Sequence, residues 1–144
     1  DDAVTLDEIL RLITGWPSTA PALGLVIVDY LQLVRAPHEI RERRLQVEAV
    51  SQGLKSIAQR AQIPVLCLSS LARPALDGRS GWRPTLASLR ESGELEHDAD
   101  IVLLLHREPL EPSTECIVAK NRDGRVGITA LIFDAATVNF SEVP

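Results

Sequence analysis

Apolar positions change their spacing several times along this chain, and each change marks an element. Near the start, Leu6, Ile9, Leu10, Leu12 and Ile13 recur at three- and four-residue intervals, which is one face of a helix. Thr5, with Glu8 three residues later, sets a capping box in front of that helix, and Gly15-Trp16-Pro17 ends it. Leu23 to Val28 is then an unbroken apolar run closed by Asp29, the pattern of a strand buried on both faces. From Glu39 to Gln62 the helical spacing returns, with Ile40, Leu45, Val47, Val50, Leu54, Ile57 and Ala61 on one side and charged or amide residues on the other. Pro64 opens a second apolar run, Val65 to Leu68, which ends in Ser69-Ser70. Strand, helix and strand of these lengths predict a βαβ unit with a right-handed crossover, and so a mainly parallel sheet flanked by helices.

Residues 73 to 84 lose all periodicity through Pro74, Gly78, Ser80, Gly81 and Pro84 and read as a loop. A loop of about a dozen residues in a compact domain is often functional. A short helix is expected from Leu86 to Glu91 and a third buried strand from Ile101 to Leu105. Cys116 to Ala119, Ile128 to Phe133 and Val138 to Phe140 follow as strands joined by short turns. The expected fold class is α/β with a β-rich end.

The chain has 144 residues, 45% of them apolar, enough for one modest core. Its net charge of -5 excludes a polybasic protein that grips nucleic acid over its whole surface, so any such contact has to be local. The absence of Met, with Asp1-Asp2 at the start, points to a segment of a longer protein. Cys67 and Cys116 sit inside apolar runs, where thiols pack as small hydrophobes rather than as a disulfide framework. No apolar stretch of membrane-spanning length and no signal or lipidation motif occurs, and the expectation is a soluble cytoplasmic protein with no membrane partner.

Three groups of residues could carry chemistry. Asp29 stands at the carboxyl end of a strand, where open α/β sheets place ligands and where nucleotide hydrolases keep a Mg²⁺-holding acid; an ordinary turn or capping Asp has the same spacing. A phosphate-binding loop of the form G-x-x-x-x-G-K-[ST] does not occur. Between Ser70 and Arg90 lie Arg73, Arg79, Arg83 and Arg90 against the single acid Asp77, and the next ten residues reverse the balance with Glu91, Glu94, Glu96, Asp98 and Asp100. Such a Gly-rich basic loop can track a phosphate backbone, or it can be a solvated loop. Lys120 and Arg122 share a face if the strand from Cys116 runs on past Lys120, and there they suit an anion such as a triphosphate or serve as edge-strand charges. His38, His97 and His106 show no metal spacing, and no Ser or Cys is framed as a nucleophile.

Four stretches in order carry a resemblance: V-I-V-D-Y-L-Q-L-V at Val26 to Val34, P-V-L-C-L-S-S-L-A-R at Pro64 to Arg73, L-R-E-S-G-E-L-E-H-D-A-D-I-V at Leu89 to Val102, and A-K-N-R-D-G at Ala119 to Gly124. The chain resembles the C-terminal motor domain of the DnaB-type replicative DNA helicases over nearly its whole length. That resemblance implies a RecA-like P-loop NTPase fold, of which residues 1–144 would be the part after the P-loop. It implies a six-subunit ring with ATP and Mg²⁺ between neighbours and single-stranded DNA through the centre, with primase and a helicase loader as further partners.

Carried over by position, the resemblance makes Asp29 the acid that holds Mg²⁺ through water. Ser70 falls at the phosphate-sensing position, where the family usually has Gln, and its side chain is shorter and reaches less far. Lys120 and Arg122 match the family's K-x-R, which reaches into the neighbouring subunit's ATP site, with Arg122 as the arginine finger. Arg90, Glu91 and Gly93 match the central-loop segment that contacts the DNA backbone, and Arg79 and Arg83 lie in the basic loop beside it. With the P-loop and the water-polarising acid absent from the chain, the isolated protein is expected to have no ATPase activity. Two alternatives share these features: a naturally P-loop-less DNA-binding or helicase-adaptor module, modestly favoured by Ser70, and a RadA- or RecA-like recombinase, disfavoured by the helicase forms of the last two motifs.

Overall fold

A computed structural model describes residues 4–72, 82–89, 93–108, 111 and 113–143. The chain resolves into two compact units, Asp1–Ser70 with Glu91–Asp98, and Leu71–Arg90 with Ala99–Pro144.

The first unit begins with the capped helix that the spacing predicts. Thr5 Oγ1 accepts from the Glu8 N–H at 3.2 Å, and the Thr5 N–H donates to Glu8 Oε2 at 2.8 Å in front of α1, Leu6–Thr14. Hydrogen bonds from Thr5 hold the Glu8 carboxyl below its usual range, because they stabilise the ionised form. Strands β1, Val26–Val28, and β2, Val65–Cys67, pair in parallel with Val26 opposite Val65 and Val28 opposite Cys67. Helix α2, Arg43–Ala61, makes the crossover between them and buries Val47, Val50, Ser51, Leu54 and Ile57. It begins four residues later than the periodicity suggests, because residues 37–40 form a turn (Ile40 N–H to Pro37 O, 3.1 Å) that Gln46 Nε2 then secures by donating to Ile40 O at 2.7 Å. It ends at Gln62, whose φ of 55° supplies the left-handed cap. Gly53 lets α1 lie close, since a Cβ there would collide with the Leu6 side chain.

Burial of β1 and β2 on both faces is not what the described residues show. Val28 is buried, whereas Leu25, Ile27, Leu66 and Leu68 are exposed, and α1 and β1 border an open apolar groove of about 670 Å³. The short helix expected at Leu86 to Glu91 is also different. A single 3₁₀ turn spans Leu86–Ser88 in the second unit, and α3, Gly93–Asp98, belongs to the first, where Leu95 is buried. Glu91 lies outside the described residues.

The second unit is an antiparallel meander of β3, Ile101–His106, β4, Ser113–Asn121, β5, Gly127–Asp134, and β6, Asn139–Glu142. The apolar run of β3 alternates rather than being buried throughout: Val102 and Leu104 point inward, Ile101, Leu103 and Leu105 outward. An antiparallel pair with one covered face imposes that period of two, and composition alone does not distinguish it from a fully buried strand. The β5–β6 turn is built on Asp134, whose carboxylate accepts from Thr137 Oγ1 at 2.7 Å and the Ala136 N–H at 2.9 Å, holding that carboxyl below its usual range. Val138, expected in the last strand, instead falls in this turn with φ 54°.

A β-branched residue in the left-handed region is strained, and Val138 is exposed, so little burial opposes its replacement. Val138→Asn is expected to stabilise the protein by roughly 0.5–1 kcal/mol, read as a higher urea midpoint at unchanged slope. A lower midpoint would contradict this account of the turn.

Candidate functional site

Parallel pairing of β1 with β2 delivers their carboxyl ends to the same edge of the first unit. Asp29 follows Val28 there and is exposed, and Ser69 and Ser70 follow β2 two and three residues past Cys67. The two ends are laced by main-chain bonds: the Leu68 N–H donates to Val28 O at 2.9 Å, and the Leu31 N–H to Leu68 O at 2.8 Å. The Asp29–Tyr30 peptide is cis. Asp29 and Ser70 thus share one edge, as the strand pattern predicts.

Gln32 is not among the residues the sequence singles out, yet its amide spans both strand ends. Its Nε2 donates to Ser69 Oγ at 3.0 Å, its Oε1 accepts from the Ser70 N–H at 3.4 Å, and its carbonyl accepts from Arg43 Nη2 at 3.1 Å. Its position three residues after Asp29 is the available signal, but nothing local in a sequence says which way an amide turns. Beside this edge, burial pushes the Cys67 thiol up to about 11, against a smaller lowering by a hydrogen bond from the Leu31 backbone.

Of the residues matched to the DNA segment, Arg79, Arg90 and Glu91 lie outside the described residues. Gly93 opens α3, and a Cβ there would meet nothing within 4 Å, so the domain itself does not demand glycine at that position. Asp98 at the other end of α3 accepts from Ser51 Oγ at 2.6 Å, a long-range bond that ties α3 to α2. Arg83, in the second unit, is held in a fork by Glu115, Nε to Oε2 at 2.7 Å and Nη2 to Oε1 at 2.9 Å. That bidentate geometry fixes the segment before Leu86 onto β4.

Lys120 lies opposite Val102 in the β3–β4 ladder. Strand β4 stops at Asn121, so the run-on needed to place Arg122 on the same strand face as Lys120 does not occur. Arg122 opens a turn instead, although its N–H still donates to Asp100 O at 2.9 Å and its Nη1 lies 2.9 Å from Asp100 Oδ1. Both side chains are about half exposed (51% and 52%), a setting in which an ion pair contributes at most ~1 kcal/mol. Asn121 closes the turn through Nδ2 to Arg125 O at 3.4 Å and fills the space a Cβ at Gly124 would need.

At the other end of β3 lies a feature that the sequence pattern does not reveal. Arg107 sits over the Phe133 ring at 4.5 Å, Phe133 packs against Phe140 with centroids 4.9 Å apart and the rings tilted by 46°, and a cavity of about 200 Å³ opens beside them, lined also by His106 and Thr114. Thr114 Oγ1 is buried without a hydrogen-bond partner among the described residues. Among those residues no three His, Cys, Asp or Glu converge to hold an ion.

Residues 2–142 match the family model of the DnaB-like helicase C terminal domain. This chain belongs to that family. The DnaB-like domain is 42% identical over 118 residues to the replicative DNA helicase DnaB of Treponema pallidum, covering 82% of this chain and 26% of that protein. It is 40% identical over 125 residues to a probable plasmid replicative DNA helicase of Chlamydia psittaci, covering 83% of this chain and 27% of that protein. Two solved structures superpose on 98% of it with TM-score 0.87 and 33% identity. One is a DnaB-like replicative helicase described with its interactions with primase, of which it spans 35%; the other is described as an ATPase domain, of which it spans 52%. The fold is thus the RecA-like α/β fold of these ATPase domains, and the chain spans about a quarter of the length of the curated relatives it matches.

Gln32→Ala is expected to cost about 1 kcal/mol in urea unfolding and to speed hydrogen exchange at the Ser70 amide, and unchanged exchange would remove the Gln32 bridge. Because burial raises the Cys67 pKa, its thiolate is scarce at pH 8; a Cys116→Ser protein should react slowly with a disulfide reagent there and faster as pH approaches about 11. Rapid labelling at pH 8 would contradict the burial.

Proposed function

We propose that this domain is the later part of a single motor domain in an ATP-driven replicative DNA helicase, working between neighbouring subunits of a six-membered ring. The observation that carries the reading is Asp29 at the carboxyl end of β1, in a chain that matches the helicase family from residue 2 to residue 142. An exposed carboxylate at such an edge can orient a hydrated cation through water, but it cannot cage one unaided. ATP with Mg²⁺ supplies the transferable phosphoryl group and the charge that neutralises it.

The residues present fit a nucleotide. Arg107 and Phe133 line a cavity at the end of β3 and offer a cation and an aromatic ring, groups that suit a planar anionic ligand such as a nucleotide. Arg122, in the turn just past β4, is assigned as the arginine finger, with Lys120 two residues before it near the end of the strand. The six residues of β3, roughly 20 Å of strand, separate Arg107 from the Asp100–Arg122 pair. The second unit therefore carries the Arg107–Phe133 pair and the Arg122 turn at opposite ends of one strand. Ser70 reaches less far than the family's Gln, and Gln32 fixes its main chain.

Single-stranded DNA is assigned to Arg90, Glu91 and Gly93, with Arg79 alongside, through backbone contacts that ignore sequence. Arg83 is committed to Glu115 and would contribute there mainly by shaping the loop. Primase and a loading protein belong to the parent as further partners, in line with the primase interactions described for the structural relative.

The isolated 144-residue protein is expected to show no ATP turnover, and turnover abolished by Arg122→Ala in that protein would overturn the division of labour. In the ring-forming parent, Arg122→Ala should lower kcat by about 10³-fold or more. Arg90→Ala in the parent should weaken single-stranded DNA binding and flatten its dependence on salt; equal binding at low salt would remove Arg90 from the DNA path.

A further inference from the structure

The Arg122 finger, if it is to act on a neighbour, has to be presented from the rim of a turn. An arginine side chain there carries large rotamer freedom, and each productive encounter would have to freeze it. The structure shows what restrains it. The Arg122 N–H is tied to Asp100 O at 2.9 Å, which fixes the backbone one residue beyond the β4 ladder, and the Asp100 carboxylate holds the guanidinium at 2.9 Å. Asp100 is itself fixed, because the β3–β4 register begins at the next residue, Ile101 opposite Asn121. Gly124 and the Asn121 side chain close the turn from the other side. The Asp100–Arg122 pair is half exposed, so solvent screens it: it biases the guanidinium without locking it away from a more highly charged anion.

We propose that Asp100 is a positioning residue for Arg122, holding the finger in a limited set of orientations at the foot of β3 so that a phosphate oxygen of a neighbouring subunit meets an arginine already aimed. The proposal rests on the finger reading given above, and it adds a residue that touches neither nucleotide nor metal. The charge and the reach of the Asp carboxylate both matter, so Asn should fail and Glu should restore part of the effect.

The test is a double-mutant cycle on steady-state ATP hydrolysis in the ring-forming parent, with ring assembly checked by mass. Asp100→Asn is expected to lower kcat about threefold to fivefold with KM changed less than about 1.5-fold, the signature of misplacement rather than lost binding. Asp100→Glu should recover part of that loss. In the Arg122→Ala background, Asp100→Asn should add nothing, because its effect passes through Arg122. In the isolated chain, the Arg122 Nε–H should be more ordered by nitrogen relaxation than in Asp100→Asn. Impairment by Arg122→Ala with wild-type rates in Asp100→Asn, or additive losses in the double variant, would overturn the positioning role and leave the finger standing. Wild-type rates in Arg122→Ala would overturn both.

Discussion

Everything placed at the edge that Asp29 and Ser70 share depends on the parallel pairing of β1 with β2. Two strands that run the same way cannot be joined by a tight turn, so the chain has to travel back along the sheet, and α2 is that return path. Its stripe of Val47, Val50, Leu54 and Ile57 makes the return favourable by burying apolar surface. The consequence for chemistry is directional. Only parallel strands bring the residue after one strand and the residue after the next to a common edge, which is how Asp29 and Ser70, 41 positions apart in the chain, come to share one. Gln32 and the bonds between Leu31, Leu68 and Val28 then remove the slack that two strand ends would otherwise keep.

The second unit solves a different problem with antiparallel strands. A meander places its turns at two ends, and here the two ends carry different equipment: an aromatic and arginine platform beyond His106, and the Asp100–Arg122 pair where β3 begins. Hydrogen-bonded strands make that separation rigid, so the two features keep a constant distance however the turns move.

The parts of this arrangement that can be read from the sequence are those with a local period. The apolar run ending in Asp29, the helical stripe before Pro64 and the Thr5–Glu8 box are periodic or short-range, and the structure has all three. The apolar run of β3 can be located but not assigned a pairing, since an alternating and a fully buried strand have the same composition when both faces are apolar. Side-chain pairings across tens of residues leave no trace in the pattern: Arg83 with Glu115, Ser51 with Asp98, Arg122 with Asp100 and Gln32 with Ser69 are each fixed by tertiary contact. The place of Val138 is hidden because a β-branched residue two positions before Phe140 argues for a strand, and the Asp134 turn overrides that preference.

The central claim is that one copy supplies Asp29 to its own nucleotide and Arg122 to its neighbour's. Mixed rings test it most directly. Asp29→Asn and Arg122→Ala subunits, each inactive as pure rings, are combined in equal amounts, allowed to reassemble and assayed for ATP hydrolysis. If the two residues serve different sites, an interface at which an intact Arg122 faces an intact Asp29 is regenerated in roughly a quarter of positions, and activity returns in that proportion. If both residues act on the same nucleotide within one copy, no mixture contains a complete site, and activity that stays at the level of the pure variants would contradict the account.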